Sequence, residues 1–124
     1  QIALRGEPAP LQIRGDSDLL EQALGNLLDN AIDFTPPGGT IVLAAREDKH
    51  QVVITVTDSG SGIPEYALAR IFERFYSLPR ENGIKSSGLG LAFVLEVARL
   101  HQGEITLHNR EEGGVMATLK LPRA

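Results

Sequence analysis

Apolar residues recur with two different spacings along this chain, and the change of spacing divides it into elements. Between Asp16 and Phe34 they recur every three or four positions, which predicts an amphipathic helix. Asp16 suits the N-cap of that helix, and the run TPPGG at 35–39 ends it. Over 51–58, Val52, Ile54 and Val56 occupy alternate positions, which indicates a strand. Over the whole chain these patterns predict strands at 2–5, 11–13, 40–47, 51–58, 104–109 and 115–121, and further helices at 64–74 and from 88 to about 101.

The order of the elements, β-α-β-β-α-α-β-β, predicts a fold class. We expect an α/β sandwich, in which helices pack on one face of a mixed, mostly antiparallel sheet. The apolar stretches around Pro8 and Pro10 are expected at a sheet edge, since proline lacks the N–H that a central strand donates. Turns are expected at 48–50 and at Gly113 and Gly114, and a long mobile loop at 76–87, which is polar and contains proline and glycine.

Composition and charge argue against several classes of function. The chain has 124 residues, of which 42% are hydrophobic, enough for the core of one domain. Its 12 basic and 16 acidic residues give a net charge of −4, which argues against a domain that grips nucleic acid. It has no cysteine, hence no disulfide or thiolate metal site, and no apolar run long enough for a membrane span. Because the sequence starts within a strand pattern, we expect it to be a piece of a longer protein.

A polar stripe on the first helix is the first candidate for chemistry. At about 100° per residue, Asn26 and Asn30 share a narrow sector with Gln22, and Asp33 lies beside them. Two amide oxygens one turn apart can serve hydrated Mg²⁺, which prefers oxygen ligands. A solvated helix face is the better explanation of such a pair when it is taken alone. The opposite sector carries residues expected in the core, namely Leu20, Leu24, Leu27 and Ala31.

Two glycine-containing segments are the next candidates. The carboxylate of Asp58, at the end of a strand, can accept a hydrogen bond from an exocyclic amine such as that of adenine. Gly60 and Gly62 would let the backbone approach a flat ring, although an ordinary Asx or glycine turn explains this segment alone. The sequence GLGL at 88–91 opens a helix whose free N–H groups suit phosphates, and a flexible hinge explains it about equally well. It is neither a Walker A loop nor a Rossmann fingerprint.

Together these segments resemble a known family. Their combination is similar to the catalytic ATP-binding domain of sensor histidine kinases, which has the Bergerat fold shared with gyrase, Hsp90 and MutL. The family's N box is matched by NLLDNA at 26–31, its G1 box by DSGSGI at 58–63 and its F box by IFERFY at 71–76. GLGL at 88–91 resembles the G2 box, and Gly113-Gly114 the last glycine-rich turn. The resemblance covers nearly the whole chain, and residues 75–100 further resemble the CreC-type sensor kinases.

The resemblance implies a role for each matched residue. Asn30 would coordinate Mg²⁺, with Asn26 beside it near the phosphates. Asp58 would bind the adenine amine, Ile63 would line the base pocket and Phe34 would cover the base. The other implied nucleotide contacts come from the G1 glycines, the lid at 76–87 and the G2 box: Gly60, Gly62, Tyr76, Lys85, Ser86, Ser87, Gly88, Leu89, Gly90 and Leu91.

The chain departs from the family pattern at several positions. Asp33 stands where a basic residue is common, and Ser77 follows the F-box tyrosine where a basic residue is often found. The usual Gly-Gly-Thr before the G2 box is replaced by the sequence KSS at 85–87, and Val115 stands where Ser or Thr is common. These changes bear on how strongly ATP is bound.

The resemblance also implies cofactors and partners. The cofactors would be ATP and Mg²⁺, and the γ-phosphoryl group would pass to a histidine on a separate dimerisation domain that serves a response regulator. His50, His101 and His108 lack the sequence context of that acceptor and are expected in a turn, at a helix end and on a strand face. The fragment is expected to be monomeric, to bind no nucleic acid, and to be the cytoplasmic part of a protein anchored in the inner membrane.

Two alternative functions stay open. One is a serine/threonine kinase of the anti-sigma type on the same fold, and the other is a non-catalytic module that binds nucleotide or partners. Hydrolysis of the gyrase or Hsp90 type is disfavoured because Gln22 stands where those relatives carry glutamate, and an amide cannot act as a general base.

Overall fold

The computed structural model describes residues 2–6, 15–74, 76 and 89–122. Within these residues, five strands and three helices follow one another in the predicted order. The predicted strand at 11–13 lies outside the described residues. In chain order the elements are β1 (Ile2–Gly6), α1 (Ser17–Phe34), β2 (Ile41–Asp48), β3 (Gln51–Asp58), α2 (Glu65–Leu68), α3 (Gly90–Leu100), β4 (Glu104–Asn109) and β5 (Val115–Pro122).

All five strands form one sheet in the order β1-β2-β3-β5-β4. β1 pairs with β2 in parallel, whereas the other three pairs are antiparallel. The prediction of a mixed, mostly antiparallel sheet is therefore confirmed, and β1 lies at one edge as expected. β3 has neighbours on both sides, so the site that begins at its end stands on a firmly held strand.

Helix α1 begins and ends where the sequence predicts. The Asp16 carboxylate accepts from the N–H groups of Asp18 at 3.0 Å and Leu19 at 3.1 Å, which caps the first turn. At the other end the Thr35 hydroxyl donates to the Ala31 carbonyl oxygen at 2.7 Å. The buried stripe consists of Leu20, Ala23, Leu27 and Ala31, while Leu24 is only half-buried.

The core fills the space between the helices and one face of the sheet. α3 contributes an apolar stripe at helical spacing, in which Val94 and Ala98 are fully buried. β5 contributes Leu119 and Leu121, each only 1% exposed. Burial of one such leucine or valine stabilises the fold by roughly 1.5–3 kcal/mol, so this packing fixes α1 and α3 side by side.

His101 joins the start of α1 to the end of α3. Its Nδ1–H donates to the Val97 carbonyl oxygen at 2.7 Å, and its Nε2 accepts from the Asp16 N–H at 3.1 Å. A Cβ on Gly15 would overlap the imidazole ring, so the glycine makes room for this contact. The three histidines lie where they were expected, His50 in the β2–β3 turn and His108 on exposed β4.

Two predicted helices are shorter than expected. The segment 64–74 forms a helix only at Glu65–Leu68 and then continues as turns, with hydrogen bonds from Arg70 to Ala67 and from Glu73 to Arg70. Each of these bonds joins residues three positions apart instead of four. The segment still buries Ala67 and Ile71 on one side. The third helix begins at Gly90. None of the helices in the described ranges is long and apolar enough to cross a membrane.

Candidate functional site

Asp58 is a buried carboxylate at the end of the central strand β3, with 6% of its surface exposed. Its Oδ1 accepts from the N–H of Gly60 at 2.9 Å and from the N–H of Val115 at 3.2 Å. The first bond closes a tight turn, and the second joins β3 to the start of β5. Among the residues that the structure describes, no hydrogen bond reaches Oδ2, and no buried side-chain oxygen lacks a partner. Oδ2 is therefore open to a donor from outside.

The β4–β5 turn holds the backbone of Asp58 from the other side. The Arg110 guanidinium donates through Nη1 to the carbonyl oxygens of Asp58 and Gly113, both at 3.2 Å. Gly114 has a φ of +85°, and a Cβ at this position would overlap the Asp58 carbonyl oxygen. Only glycine combines this left-handed backbone with this close approach. Gly113-Gly114 thus forms the predicted turn, and it also packs against Asp58.

The loop after Asp58 is fixed by neighbouring segments. Ser59 pairs with Thr40 in both directions: its N–H donates to the Thr40 carbonyl oxygen at 3.0 Å, and its hydroxyl accepts from the Thr40 N–H at 2.8 Å. A Cβ on Gly60 would overlap the carbonyl oxygen of Phe34, the last residue of α1. The end of α1 and the start of this loop are therefore in contact, as a shared base pocket requires.

Asn109, a residue that the sequence analysis did not select, holds the far end of the same loop. Its Oδ1 accepts from the Ile63 N–H at 2.7 Å, and its Nδ2 donates to the Ile63 carbonyl oxygen at 2.7 Å. Gly62 has a φ of +85°, and its Cβ would lie 2.9 Å from the same Oδ1. Ile63 itself is 6% exposed and packs with the core. Because the sequence analysis expects the adenine base here, we call residues 58–63 with Asn109 and Val115 the base end of the site.

The second group of predicted residues meets where α1 contacts the start of α3. The Asn26 side chain donates through Nδ2 to the Gly90 carbonyl oxygen at 3.3 Å. The N-cap residue Leu89 makes no side-chain hydrogen bond to the first turn of α3, and the N–H groups of a helix start are the donors that an anion site uses. Leu91 is buried and serves the core, whereas Leu89 is 41% exposed. We call Asn26 with Gly90 the phosphate end.

Helix α1 connects the two ends. Asn26, Asn30 and Phe34 follow at intervals of four residues, so they lie on one side of the helix over about 12 Å. Asn30 is half-buried, in the middle of this row. No group of three or more His, Cys, Asp or Glu residues that could hold a metal occurs in the described part of the chain. The amide oxygen of Asn30 fits a Mg²⁺ ion whose other ligands are phosphate oxygens and water.

Tyr76 lies half-buried against the core at the start of the predicted lid. The Arg70 guanidinium carbon lies 4.5 Å from the centre of its ring, a cation–π contact. Arg70 also forms an ion pair with Glu73 at 3.2 Å, and the hydrogen bond and charge of this carboxylate raise the pKa of Arg70. The other predicted lid and G2 residues, Lys85, Ser86, Ser87 and Gly88, lie outside the described residues.

Comparison with known proteins assigns the family. Residues 15–124 match the family described as histidine kinase-, DNA gyrase B-, and HSP90-like ATPase. The chain belongs to this family, and its fold is that of a histidine kinase catalytic domain, as the sequence motifs indicate.

Three individual proteins show how similar this chain is to known members of the family. The chain is 63% identical over 123 residues to the sensor protein CreC of Escherichia coli K12, a match over 99% of this chain and 26% of CreC. The catalytic domain of histidine kinase ThkA superposes with a TM-score of 0.86 at 29% identity, over 98% of this chain and 79% of that one. Full-length ShkA, whose structure is a complex with AMPPNP, superposes with a TM-score of 0.83 at 31% identity, over 100% of this chain and 26% of that one. The chain thus spans about a quarter of the length of CreC.

Proposed function

We propose that this chain is the catalytic ATP-binding domain of a sensor histidine kinase. It binds Mg²⁺-ATP and donates the γ-phosphoryl group to a histidine on a separate dimerisation domain. The observation that carries the proposal is Asp58, a buried carboxylate with one oxygen fixed by two backbone N–H groups and the other open. A carboxylate held in this way recognises an amine donor, and the N6 amine of adenine provides one.

The base end accounts for selectivity. Oδ2 of Asp58 accepts the adenine amine, whereas guanine presents a carbonyl oxygen at the corresponding position and would be repelled. Ile63 lines the pocket, and the contact between Phe34 and Gly60 places the end of α1 beside it. The relative ShkA supports this assignment, because AMPPNP carries the same base.

The phosphate end accounts for transfer. The N–H groups of the first turn of α3 would bind phosphate oxygens, and Asn30 would hold Mg²⁺ through its amide oxygen. Asn26 lies beside them and keeps the start of α3 against α1. Phosphoryl transfer of this kind needs alignment and charge neutralisation more than covalent help from the protein, and bound Mg²⁺ supplies part of that neutralisation. The departures at Asp33, Ser77 and Val115 set how strong the binding is.

The acceptor histidine belongs to another part of the protein. In this chain His101 is engaged between α1 and α3, while His50 and His108 lie in a turn and on an exposed strand. The chain spans 26% of the sensor protein CreC, and we infer that a separate dimerisation domain carries the acceptor histidine. We infer that this domain passes the phosphoryl group to a response regulator, that the present domain lies in the cytoplasm, and that the whole protein is anchored in the membrane.

Calorimetric titration of the chain tests the base end. We expect ATP and ADP to bind and GTP to bind at least tenfold more weakly. Asp58→Asn is the sharp variant, because its amide oxygen can still accept from Gly60 and Val115 while its NH₂ group faces the adenine amine. This variant should keep its melting temperature within a few degrees and lose about 100-fold in ATP affinity. Undiminished ATP binding by Asp58→Asn would refute the assignment of the pocket.

Removal of the metal tests the phosphate end. Asn30→Ala should weaken binding of ATP about tenfold in Mg²⁺ and much less in EDTA, since the proposed role of its amide oxygen toward ATP is to hold the metal. Addition of a dimerisation domain from the same protein should then give an acid-labile phosphohistidine. An acid-stable phosphoserine would favour the anti-sigma type of kinase, and absence of nucleotide binding at millimolar concentration would favour the non-catalytic module.

A further inference from the structure

Two of the contacts that hold the loop at 58–63 come from the same pair of residues in the sheet. Asn109 at the end of β4 lies opposite Val115 at the start of β5. The Val115 N–H donates to Asp58 at one end of the loop, and the Asn109 side chain binds Ile63 at the other. The loop therefore closes over the Asn109–Val115 pair.

The contact of Asn109 with Ile63 is reciprocal. One amide side chain accepts from the Ile63 N–H and donates to the Ile63 carbonyl oxygen, each at 2.7 Å, as a neighbouring strand would. Only Asn and Gln carry an acceptor and a donor side by side in this way, and Gln is longer by one methylene. Gly62, at a φ of +85°, brings the backbone to this amide, since a Cβ would lie 2.9 Å from its Oδ1.

We propose that Asn109 is a positioning residue for adenine recognition. It holds Ile63 in the position that packing against the base requires, while Asp58 accepts a hydrogen bond from the amine. This inference rests on the proposed function. In this proposal Ile63 lines the base pocket, and its backbone follows directly on Gly62, whose φ of +85° is a conformation that favours glycine. Without the amide clamp the loop would be fixed at Asp58 but free to shift at Ile63, so the base would lose packing without losing its hydrogen bond to the carboxylate.

Three variants of the full chain test this role. Asn109→Ala removes both bonds. Asn109→Asp keeps the acceptor for the Ile63 N–H but loses the donor to its carbonyl oxygen. His108→Ala is the matched control, since it changes the adjacent exposed residue of β4, whose side chain points to the opposite face of the sheet. The measurements are calorimetric titration with ADP, in Mg²⁺ and in EDTA, and hydrogen exchange of the Ile63 amide.

We expect Asn109→Ala to bind ADP about tenfold more weakly, by the same factor with and without Mg²⁺, because only the base end changes. The Ile63 amide should exchange at least about tenfold faster in this variant. Asn109→Asp should keep the amide protected and lose about threefold in ADP affinity, while His108→Ala should match the unchanged chain. If Asn109→Ala does not fold, the Asp variant decides: a loss of affinity with a protected amide supports the proposal, and unchanged affinity overturns it.

Other outcomes separate this proposal from the proposed function. ADP binding that is unchanged in Asn109→Ala, or that His108→Ala weakens equally, would overturn the role of Asn109 and leave the proposed function standing. A loss that appears only with Mg²⁺ would also overturn it, since it would place the effect at the phosphate end. Failure of the unchanged chain to bind ADP would overturn the proposed function and this inference together.

Discussion

At the base end of the site, backbone and side chains of three separate segments fix the loop. At the phosphate end, one bond of 3.3 Å joins Asn26 to Gly90 in the part of the chain described. The loop at 58–63 receives bonds from Thr40, Asn109, Arg110 and Val115. The first end has its geometry before any ligand arrives. In the described residues, the second end has a helix start whose N-cap residue makes no side-chain hydrogen bond, and we propose that a charged ligand and its metal organise it.

The glycines at the two ends differ in whether contacts within the protein require them. At the base end a Cβ on Gly60 or Gly114 would overlap a protein carbonyl oxygen, so the fold itself requires glycine there. At the phosphate end a Cβ on Gly90 would come no closer than 4.0 Å to Asn26, and its backbone is helical. The described part of the protein does not require glycine at this position, whereas the proposed close approach of a phosphate would.

The largest effect is expected from Gly114→Ala. Its Cβ would overlap the Asp58 carbonyl oxygen at a φ of +85°, so the β5 start must move away from β3. We expect a loss of about 3–4 kcal/mol in the free energy of unfolding, measured by urea denaturation. Gly113→Ala is the matched control, with a φ of +105° and nothing within 4 Å of its Cβ, and should cost about 1 kcal/mol. Equal losses would mean that backbone strain alone explains both glycines.

Gly90→Ala should lower ATP affinity without lowering the stability of the fold. Alanine fits the free protein and is a better helix former, so stability should stay equal or rise by about 0.5 kcal/mol. ATP affinity should fall about tenfold, because the methyl group stands where the phosphates approach the first turn of α3. The loss should be smaller for adenosine than for ATP. An equal loss for adenosine would place the methyl effect at the base and remove the distinction between the ends.

The sequence predicts the local elements well because local signals define them. The Asp16 cap and the breaker at 35–39 fix α1, and the Gly113-Gly114 turn fixes the last hairpin. The segment 64–74 shows where periodicity fails, since Ala67 and Ile71 face the core equally well in a helix or in successive three-residue turns. The strand order, with β5 between β3 and β4, depends on pairings between distant segments that no local pattern contains.

The residues of the candidate site also divide into those that the sequence predicts and those that it does not. Asp58, Asn26 and Asn30 belong to short motifs with recognisable chemistry. Asn109 and Arg110 do not, because their partners lie 46 and 52 positions away and a polar residue before a glycine turn resembles any solvated turn. An asparagine at the end of an edge strand is the one weak signal that the sequence offers for the clamp.

Gly25→Ala gives the smallest effect and tests whether α1 just before the phosphate end is free of ligand. Gly25 lies inside the helix without a left-handed backbone, and nothing lies within 4 Å of its Cβ position. Alanine should therefore raise the free energy of unfolding by about 0.5–1 kcal/mol, since glycine loses more backbone entropy on folding. Gln22→Ala, an exposed change on the same helix, should alter stability by less than about 0.5 kcal/mol. Unchanged ATP affinity in Gly25→Ala would confine the ligand to the row of Asn26, Asn30 and Phe34. A loss comparable to that of Gly90→Ala would instead show that phosphates also approach the helix at Gly25. The phosphate end would then be wider than the Asn26–Gly90 contact.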